Sequence, residues 1–176
     1  MSNLTDISDV IIIGSGPAGL SAAIYVVRAG LSVNVIEKEF MGTGQIADSS
    51  KVDNYLGIPA ISGYDLGESF REHALSLGVT IEDNNVTRLT PVDDIWELEL
   101  SDGSTKKARC VIYAAGCSHK KLQAENEEQY TGKGISYCAV CDGAFYKDKD
   151  VAVVGGGDTA LSDALYLSDI CANVYI

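Results

Sequence analysis

The fold follows from the stretch Val10-Ile11-Ile12-Ile13-Gly14-Ser15-Gly16-Pro17-Ala18-Gly19, in which a short apolar run leads into a glycine-rich turn. The apolar run predicts a buried strand, and the small residues of 18–28 predict a tightly packed helix. Gly14 allows the sharp turn between them, Gly16 lets the backbone approach a pyrophosphate, and Gly19 lets the helix lie close to the strand. The helix N-terminus adds unpaired N–H groups that bind phosphates. The stretch therefore predicts a dinucleotide site.

A second strand completes a β-α-β unit. Gly30 ends the helix, as glycine commonly does, and residues 33–37 alternate in the manner of a strand. Glu37 closes this strand 18 residues beyond Gly19, where an acidic side chain commonly accepts a hydrogen bond from a ribose hydroxyl. The strand, the helix and the acid at this distance favour a nucleotide site over the alternative, which is a tight β-α turn without a ligand.

The middle of the chain changes from helical to strand periodicity. Residues 64–77 carry apolar side chains at helical spacing and predict a second helix. Residues 95–100 alternate and Asp102-Gly103 supplies a hairpin turn, so we expect an antiparallel ribbon that forms a small side sheet. Residues 108–115 predict a third apolar strand, and the polar segment 122–134 predicts a surface connection.

A second glycine motif lies near the end of the chain. Gly155-Gly156-Gly157-Asp158-Thr159-Ala160 follows the apolar run 151–154 and precedes a predicted helix over 160–167, which repeats the logic of the first motif. Residues 173–176 begin another strand, and the residues that would bind the ribose or its 2′-phosphate would follow Ile176. Because one β-α-β unit cannot bury both faces of its sheet, either further chain is missing or this piece docks on another molecule. We favour the first and expect the sequence to be part of a longer protein.

A pair of cysteines lies between the glycine motifs, in Cys138-Ala139-Val140-Cys141-Asp142-Gly143. The pair can form a small redox disulfide with one stabilised thiolate, supply two zinc ligands, or consist of two unrelated buried thiols. Asp142 either exchanges protons with the dithiol or is a turn residue before Gly143. We expect no metal site, because the other candidate ligands are scattered: Cys110, Cys117, His119 and Cys171.

Composition excludes several classes of function. The chain has 176 residues, 46% of them hydrophobic, and a net charge of −12, which is typical of a globular protein and unsuited to binding nucleic acid or an anionic membrane. The N-terminus has no basic region, and its apolar stretch is too short for a signal peptide or a membrane span. We therefore expect a cytoplasmic protein. The five cysteines do not have the spacing of a disulfide scaffold.

Five motifs follow one another along the chain: Gly14-Ser15-Gly16-Pro17-Ala18-Gly19, Gly44-Gln45, Val52-Asp53-Asn54-Tyr55, Cys138-Ala139-Val140-Cys141-Asp142-Gly143 and Gly155-Gly156-Gly157-Asp158. In this order they resemble the low-molecular-weight thioredoxin reductases, which belong to the FAD/NAD(P)-dependent pyridine nucleotide-disulfide oxidoreductases. The resemblance covers residues 10–176 and corresponds to the N-terminal half of such a protein.

The resemblance implies an α/β fold, with a Rossmann-like three-layer ββα FAD-binding unit followed by the start of a second Rossmann-like NAD(P)-binding domain. Residues 1–116 would be the N-terminal segment of a split FAD-binding domain. Residues 117–176 would hold the inter-domain connection, the redox Cys pair and the truncated start of the NAD(P)-binding domain. The implied cofactor-binding residues lie on the glycine motifs and their neighbouring loops: Gly14, Ser15, Gly16, Pro17, Ala18, Glu37, Lys38, Gly44, Gln45, Asn54, Ala115, Gly116, Gly155, Gly157, Asp158 and Thr159.

The resemblance also implies a flavoprotein disulfide reductase with FAD and NADPH as cofactors. Electrons would pass from NADPH through FAD to the Cys138–Cys141 disulfide and on to thioredoxin. Cys141 would face the flavin, Cys138 would exchange with thioredoxin, and Asp142 would handle protons. A homodimer is implied as well, with a rotation between domains that presents the dithiol to flavin and to substrate in turn.

Two departures from the family pattern concern cofactor contacts, and two alternative functions stay open. Ala115 replaces the threonine of the usual Ala-Thr-Gly, and Ser162 stands where an acidic residue is common. A ferredoxin-dependent flavin thioredoxin reductase is the alternative within the same class, although the intact motif at Gly155 favours NADPH. The alternative of another class is a non-catalytic FAD-binding fragment.

Overall fold

The computed structural model describes residues 7–176. The chain divides between Cys117 and Ser118 into two compact units, and each unit has its own sheet. What the two expected domains, 1–116 and 117–176, bind stays a prediction.

The first unit alternates strands and helices and then continues into an antiparallel meander. Its described elements are β1 Ile7–Ile13, α1 Pro17–Arg28, β2 Val33–Glu37, a 3₁₀ helix Gln45–Asp48, α2 Gly63–Ser76, β3 Thr80–Asp83, β4 Val86–Val92, β5 Ile95–Leu100 and β6 Thr105–Tyr113. Pro17 opens α1, where its missing N–H costs no helical hydrogen bond. Ser62 caps α2 by accepting a hydrogen bond from the Asp65 N–H.

The six strands described within residues 7–117 belong to one sheet, in the order β3-β2-β1-β6-β5-β4. β3, β2, β1 and β6 run parallel, and β5 and β4 continue the sheet antiparallel. Ala108 of β6 stands opposite both Ser8 of β1 and Trp96 of β5. The expectation of a separate side sheet is therefore wrong. β6 begins at Thr105, ahead of its apolar run, and its polar first residues pair with β5.

Apolar side chains cover both faces of β1. Val10 and Ile12 pack with Leu20 of α1 on one face, and Ile11 packs with Leu98 of β5 on the other. A parallel strand that is covered on both faces has a continuous apolar sequence rather than an alternating one. This is why the run of 10–13 correctly predicted a buried strand.

β3 was not predicted from the sequence. Thr80–Asp83 pairs in parallel with β2, and Ile81 stands opposite Val35. The segment has a single large apolar residue, so its periodicity carries no strand signal. A strand at the edge of the sheet needs only that one side chain to contact the core.

The second unit contains the Cys pair and a β-α-β unit. Its described elements are α3 Glu127–Tyr130, α4 Ala139–Asp142, a 3₁₀ helix Gly143–Tyr146, β7 Asp150–Ala152, α5 Asp158–Ser168 and β8 Asn173–Tyr175. β7 and β8 pair in parallel, with Val151 opposite Val174, as the apolar runs predicted. Among the described residues, no helix combines the length and the apolar character needed to cross a membrane.

Candidate functional site

Three loops of the first unit meet at the carboxyl ends of parallel strands. Gly14 follows β1, Glu37 ends β2, and Ala115 lies two residues after β6. The Gly14 N–H donates to the Ile36 carbonyl oxygen at 2.8 Å, and the Ala114 N–H donates to the Ile13 carbonyl oxygen at 2.8 Å. The structure thus brings three of the predicted positions to the edge where nucleotides bind in open α/β sheets.

The first glycine motif needs its glycines for two distinct steric reasons. Gly14 has a φ of 103°, and a Cβ there would overlap the carbonyl oxygen of Ala114. Gly19 is buried in α1, and a Cβ there would overlap the carbonyl oxygen of Gly14. Gly14 therefore lets the turn lie against the loop after β6, and Gly19 lets the helix lie against the turn.

The space beside Gly16 fits a pyrophosphate. Gly16 is the N-cap of α1 and no side chain caps the helix, so no side chain takes the first N–H groups from a ligand. A Cβ at Gly16 would meet no protein atom closer than the Gly44 Cα at 3.8 Å. Pro17 and Ala18 are exposed in the first turn. The residues present therefore fit the pyrophosphate of FAD.

Glu37 is buried and bound to the glycine turn. Its Oε2 accepts hydrogen bonds from the Ser15 N–H and the Ser15 hydroxyl, both at 2.8 Å, and its Oε1 accepts from the Glu39 N–H at 3.0 Å. Ser15 is fully buried, and its hydroxyl also lies 2.5 Å from the Gly42 carbonyl oxygen. Sequence reasoning did not find this contact, because only the fold brings Glu37 to Ser15.

These contacts determine the charge of Glu37. Burial raises the pKa of its carboxyl, but the hydrogen bonds from the Ser15 and Glu39 N–H groups and the Ser15 hydroxyl outweigh burial. The pKa therefore lies below the ordinary 4.5, and the group is an anion at neutral pH. Backbone hydrogen bonding from Lys38 lowers the pKa of Glu37 as well, and acceptance of a ribose hydroxyl by this carboxylate stays a prediction.

Two glycines of α2 allow the segment after β2 to pack directly against this helix. A Cβ at Gly63 would overlap the Ile46 carbonyl oxygen, and one at Gly67 would overlap the buried Thr43 side chain. The 3₁₀ helix that begins at Gln45 consequently packs directly on α2.

The remaining predicted residues of the first unit lie in the loops of this region. The Gln45 side-chain amide donates to the Cys117 carbonyl oxygen and ties its helix to the loop after β6, beside Gly116. Gly44 has a φ of 78°, and a Cβ there would lie 3.1 Å from the Gly16 Cα. Lys38 is exposed and pairs with Glu39 at 3.6 Å. Asn54 is exposed. Contact of these residues with a cofactor stays a prediction.

Cys138 and Cys141 form a disulfide in the second unit. The bond closes one turn of α4, with the two Cα atoms 5.3 Å apart. The Cys141 N–H lies 3.2 Å from the Cys138 sulfur, so Cys138 also serves as the N-cap of this turn. Of the three interpretations of the pair, the structure shows the disulfide. Within residues 7–176, no three His, Cys, Asp or Glu side chains cluster to hold a metal ion.

Asp142 follows Cys141 in the sequence, and its carboxylate is bound to Ser136. The Ser136 hydroxyl donates to Asp142 Oδ2 at 2.6 Å, and it accepts a hydrogen bond from the Cys138 N–H at 3.1 Å. Gly143 follows, where a Cβ would lie 3.1 Å from a methyl group of Leu167. The segment 138–143, which carries the disulfide, therefore packs closely on α5.

The second glycine motif repeats the geometry of the first. Gly155 has a φ of 142°, and a Cβ there would lie 3.2 Å from the Ala160 Cβ. Gly157 is the N-cap of α5 without a side-chain cap, and no protein atom lies within 4 Å of a Cβ placed on it. Asp158 and Thr159 are exposed in the first turn. This turn follows the end of β7. Its open space and uncapped helix N-terminus also fit a phosphate group.

A buried acid near the Cys pair escaped sequence reasoning. Glu127 accepts hydrogen bonds from the Leu122 N–H at 3.1 Å, the Gln123 N–H at 2.6 Å and the Tyr137 hydroxyl. The Tyr137 ring stacks on His119 with ring centres 3.7 Å apart. The expected polar connection is therefore folded onto Tyr137, which precedes Cys138. Three acids within 125–128 hid the buried one, because all three look like surface residues.

Comparison with known proteins agrees with the family that the sequence motifs resemble. A family profile described as pyridine nucleotide-disulphide oxidoreductase matches residues 8–176. Thioredoxin reductase of Helicobacter pylori is 43% identical over 169 residues, covering 96% of this chain and 54% of the relative. The crystal structure of thioredoxin reductase from Streptococcus pyogenes aligns with a TM-score of 0.88 at 39% identity, over 96% of this chain and 55% of that chain.

A ferredoxin-flavin thioredoxin reductase from Clostridium acetobutylicum aligns with a TM-score of 0.58 at 35% identity, over 96% of this chain and 58% of that chain. The chain spans about half the length of the curated relatives it matches. The family expected from the motifs and the α/β fold class are both confirmed, and this family implies FAD and NADPH as cofactors. The chain belongs to the pyridine nucleotide-disulphide oxidoreductases.

Proposed function

We propose that the protein carrying this chain is a thioredoxin-disulfide reductase that uses NADPH, FAD and the Cys138–Cys141 disulfide. The observation that carries the proposal is the disulfide itself, closed on one helical turn with Asp142 as the next residue. The uncapped helix N-terminus at Gly16, the carboxylate of Glu37 and the similarity to thioredoxin reductases support it.

The chain's own groups account for thiol–disulfide exchange. After reduction, the Cys138 thiolate attacks the substrate disulfide, whose S–S bond breaks and releases one thiolate. Cys141 then loses its proton to Asp142 and attacks the Cys138 sulfur, which restores the Cys138–Cys141 bond and releases the second substrate sulfur. The proton on Asp142 goes to this leaving thiolate. The substrate gains two electrons and the dithiol loses two.

The cofactor sites are proposed on the residues with fitting geometry. Gly14, Gly16 and the first turn of α1 would hold the FAD pyrophosphate, and Glu37 would accept from the ribose. The turn at Gly155 and the first turn of α5 would hold the NADPH phosphates. FAD supplies the transfer of an electron pair from NADPH to the disulfide.

Three further features of the proposal concern partners and compartment. Thioredoxin is the proposed substrate, because relatives with this motif order carry that name. A homodimer is proposed, with support from large apolar side chains at the surface, including Leu56 at 98% exposure and Phe40 at 80%. The cytoplasm is the proposed compartment, since it keeps thiols reduced and Cys110, Cys117 and Cys171 are free thiols.

The test of this proposal is a visible absorption spectrum of the protein after incubation with FAD and removal of unbound FAD, recorded before and after NADPH is added without oxygen. We expect a bound oxidised-flavin spectrum that bleaches. With excess NADPH, the Cys138→Ser variant is the matched control and should reach the same bleached spectrum, although it needs fewer electrons because it has no disulfide to reduce. Absence of bound flavin would contradict the proposal, and a bound flavin that neither NADPH nor ferredoxin bleaches would favour the non-catalytic alternative.

A ferredoxin-dependent flavin thioredoxin reductase is the second candidate. The alignment with the Clostridium acetobutylicum structure favours it, because that protein has the same fold over 96% of this chain. The open turn at Gly157 and the uncapped N-terminus of α5 favour NADPH instead. A flavin that reduced ferredoxin bleaches and NADPH does not would decide for the second candidate.

A further inference from the structure

We propose that Ser136 is a positioning residue that holds the Asp142 carboxylate for proton exchange with the Cys138–Cys141 pair. The inference rests on the proposed function and deepens it. Ser136 precedes Cys138 by two residues, and its hydroxyl lies between the Cys138 N–H at 3.1 Å and Asp142 Oδ2 at 2.6 Å. One side chain thus links the residues on both sides of the disulfide.

The direction of the hydrogen bond follows from counting protons. A serine hydroxyl has one hydrogen to donate, and two acceptors lie near it, Asp142 Oδ2 at 2.6 Å and the Cys138 carbonyl oxygen at 3.3 Å. The carbonyl oxygen already accepts from the Asp142 N–H at 3.0 Å. The shorter bond to the charged acceptor is the stronger one, so Ser136 donates to Asp142.

This bond determines which part of Asp142 is available for chemistry. Because Oδ2 is held by Ser136, the carboxylate cannot rotate freely about its χ2 angle, and Oδ1 is the oxygen that we assign to proton exchange. Holding a proton acceptor in one orientation raises the rate of the transfer it performs. Ser136 and Asp142 are both half-buried, whereas Cys141 is exposed, so the pair is partly protected from competing water.

The step that Ser136 assists is the closure of the disulfide. Cys138 is joined to a substrate sulfur in the mixed disulfide, and Cys141 carries a thiol proton. That proton moves to Asp142 as the Cys141 sulfur attacks Cys138, the S–S bond to the substrate breaks, and the substrate sulfur leaves with the electron pair. Without the Ser136 hydroxyl, Asp142 still accepts the proton but is oriented for it less of the time.

A double-mutant cycle on the pre-reduced full chain tests this inference. The reduced dithiol is mixed with one equivalent of 5,5′-dithiobis(2-nitrobenzoate), which releases one aryl thiolate when Cys138 attacks and a second when Cys141 closes the disulfide. All proteins carry Cys110→Ser and Cys117→Ser, because those two thiols are exposed and would also react. The four proteins compared have Ser136→Ala, Asp142→Asn, both changes or neither.

We expect Ser136→Ala to slow the second release about tenfold, the size of one hydrogen bond to a charged group. In the Asp142→Asn background the same change should slow the release no further, since the partner of the hydroxyl is already altered. Ser136→Thr keeps the hydroxyl and should restore the rate. A merely structural role would slow the release in both backgrounds.

Each other result overturns a specific part of the account. An unchanged rate in Ser136→Ala, or equal slowing in both backgrounds, overturns the role of Ser136. A slow Ser136→Ala together with an unaffected Asp142→Asn overturns the role of Asp142 and the positioning role with it. If the unsubstituted pair releases only one aryl thiolate, the Cys residues do not act as a dithiol couple, and the proposed function itself fails.

Discussion

At the scale of single residues, Gly14 and Gly30 separate the two costs of replacing a glycine. Both have positive φ, at 103° and 76°. A Cβ at Gly14 would overlap the Ala114 carbonyl oxygen, whereas a Cβ at Gly30 would meet nothing within 4 Å. The left-handed backbone costs an L-residue about 1–2 kcal/mol, and only Gly14 adds a clash to it.

We therefore expect Gly14→Ala to lower the free energy of unfolding by about 3 kcal/mol or more, and Gly30→Ala by about 1 kcal/mol. Urea unfolding followed by Trp96 fluorescence measures both, because Trp96 is the only tryptophan and lies in the first unit. Equal losses of unfolding free energy in the two variants would show that a Cβ at residue 14 does not clash with the loop after β6.

Glu37 predicts a pH dependence of the first unit. The pKa of its carboxyl in the folded chain lies below the unfolded value of 4.5, so the native state binds fewer protons than the unfolded state. The contribution of this carboxylate to stability is complete above about pH 5.5 and is lost as the pH falls through 4.5 toward the lower folded pKa.

The matched comparison is Glu37→Gln against Glu39→Gln. Glu39 is 70% exposed and pairs loosely with Lys38 at 3.6 Å, so its replacement should leave the pH dependence of unfolding unchanged. Glu37→Gln should lower stability at neutral pH and flatten the loss that begins as the pH falls below about 5.5. Urea unfolding of the first unit at several pH values measures this, and an unflattened curve in Glu37→Gln would contradict the assignment.

Residue types at this scale were predictable where one local motif requires them. Gly14, Gly16 and Gly19 follow from a turn, a phosphate approach and a helix contact that a short stretch of sequence specifies. The Ser15–Glu37 hydrogen bonds join residues 22 positions apart, and they depend on the register of β1 and β2. No local pattern contains that information.

At the scale of elements, Glu127 and Tyr137 hold together the segment 122–137, which precedes the disulfide. Hydrogen bonding from the Tyr137 hydroxyl lowers the pKa of Glu127, and the same bond raises the pKa of Tyr137. Glu127 consequently stays ionised in a buried position and binds the Leu122 and Gln123 N–H groups.

We expect Tyr137→Phe to loosen this segment, because it removes a donor to a buried carboxylate. Amide hydrogen exchange of Leu122 and Gln123 should become faster. Glu128→Gln is the matched control: Glu128 is exposed and contacts Lys121 at 3.1 Å, and its replacement should leave these amides unchanged. Unchanged exchange in Tyr137→Phe would mean that other contacts hold the segment.

Elements were predictable in proportion to the periodicity of their sequence. The two long helices of the first unit begin and end within one residue of their predicted bounds. β3 was missed because it contains one large apolar residue and is held by its pairing with β2. α3 was missed because it contains few apolar residues and its Glu127 is held by groups outside the helix, including the Tyr137 hydroxyl ten residues later. The continuous sheet was missed because β6 pairs with β1 and β5 simultaneously, and pairing on two sides leaves no mark on one strand's pattern.

At the scale of the whole molecule, the proposed dinucleotide site lies in one unit and the disulfide lies in the other. The chain divides between Cys117 and Ser118, so this site and the disulfide belong to separately packed parts. Electron transfer between them is the proposed link, and the exposed Cys141 and half-buried Cys138 leave the pair accessible to a reaction partner.

The most direct test counts the electrons that the FAD-loaded protein accepts. In an anaerobic titration with dithionite, the unsubstituted protein should take up four electrons per flavin, two for FAD and two for the disulfide. Cys141→Ser should take up two, because no disulfide remains, while Cys110→Ser, outside the pair, should still take up four. Uptake of two electrons by the unsubstituted protein would contradict the claim that the disulfide exchanges electrons with the flavin.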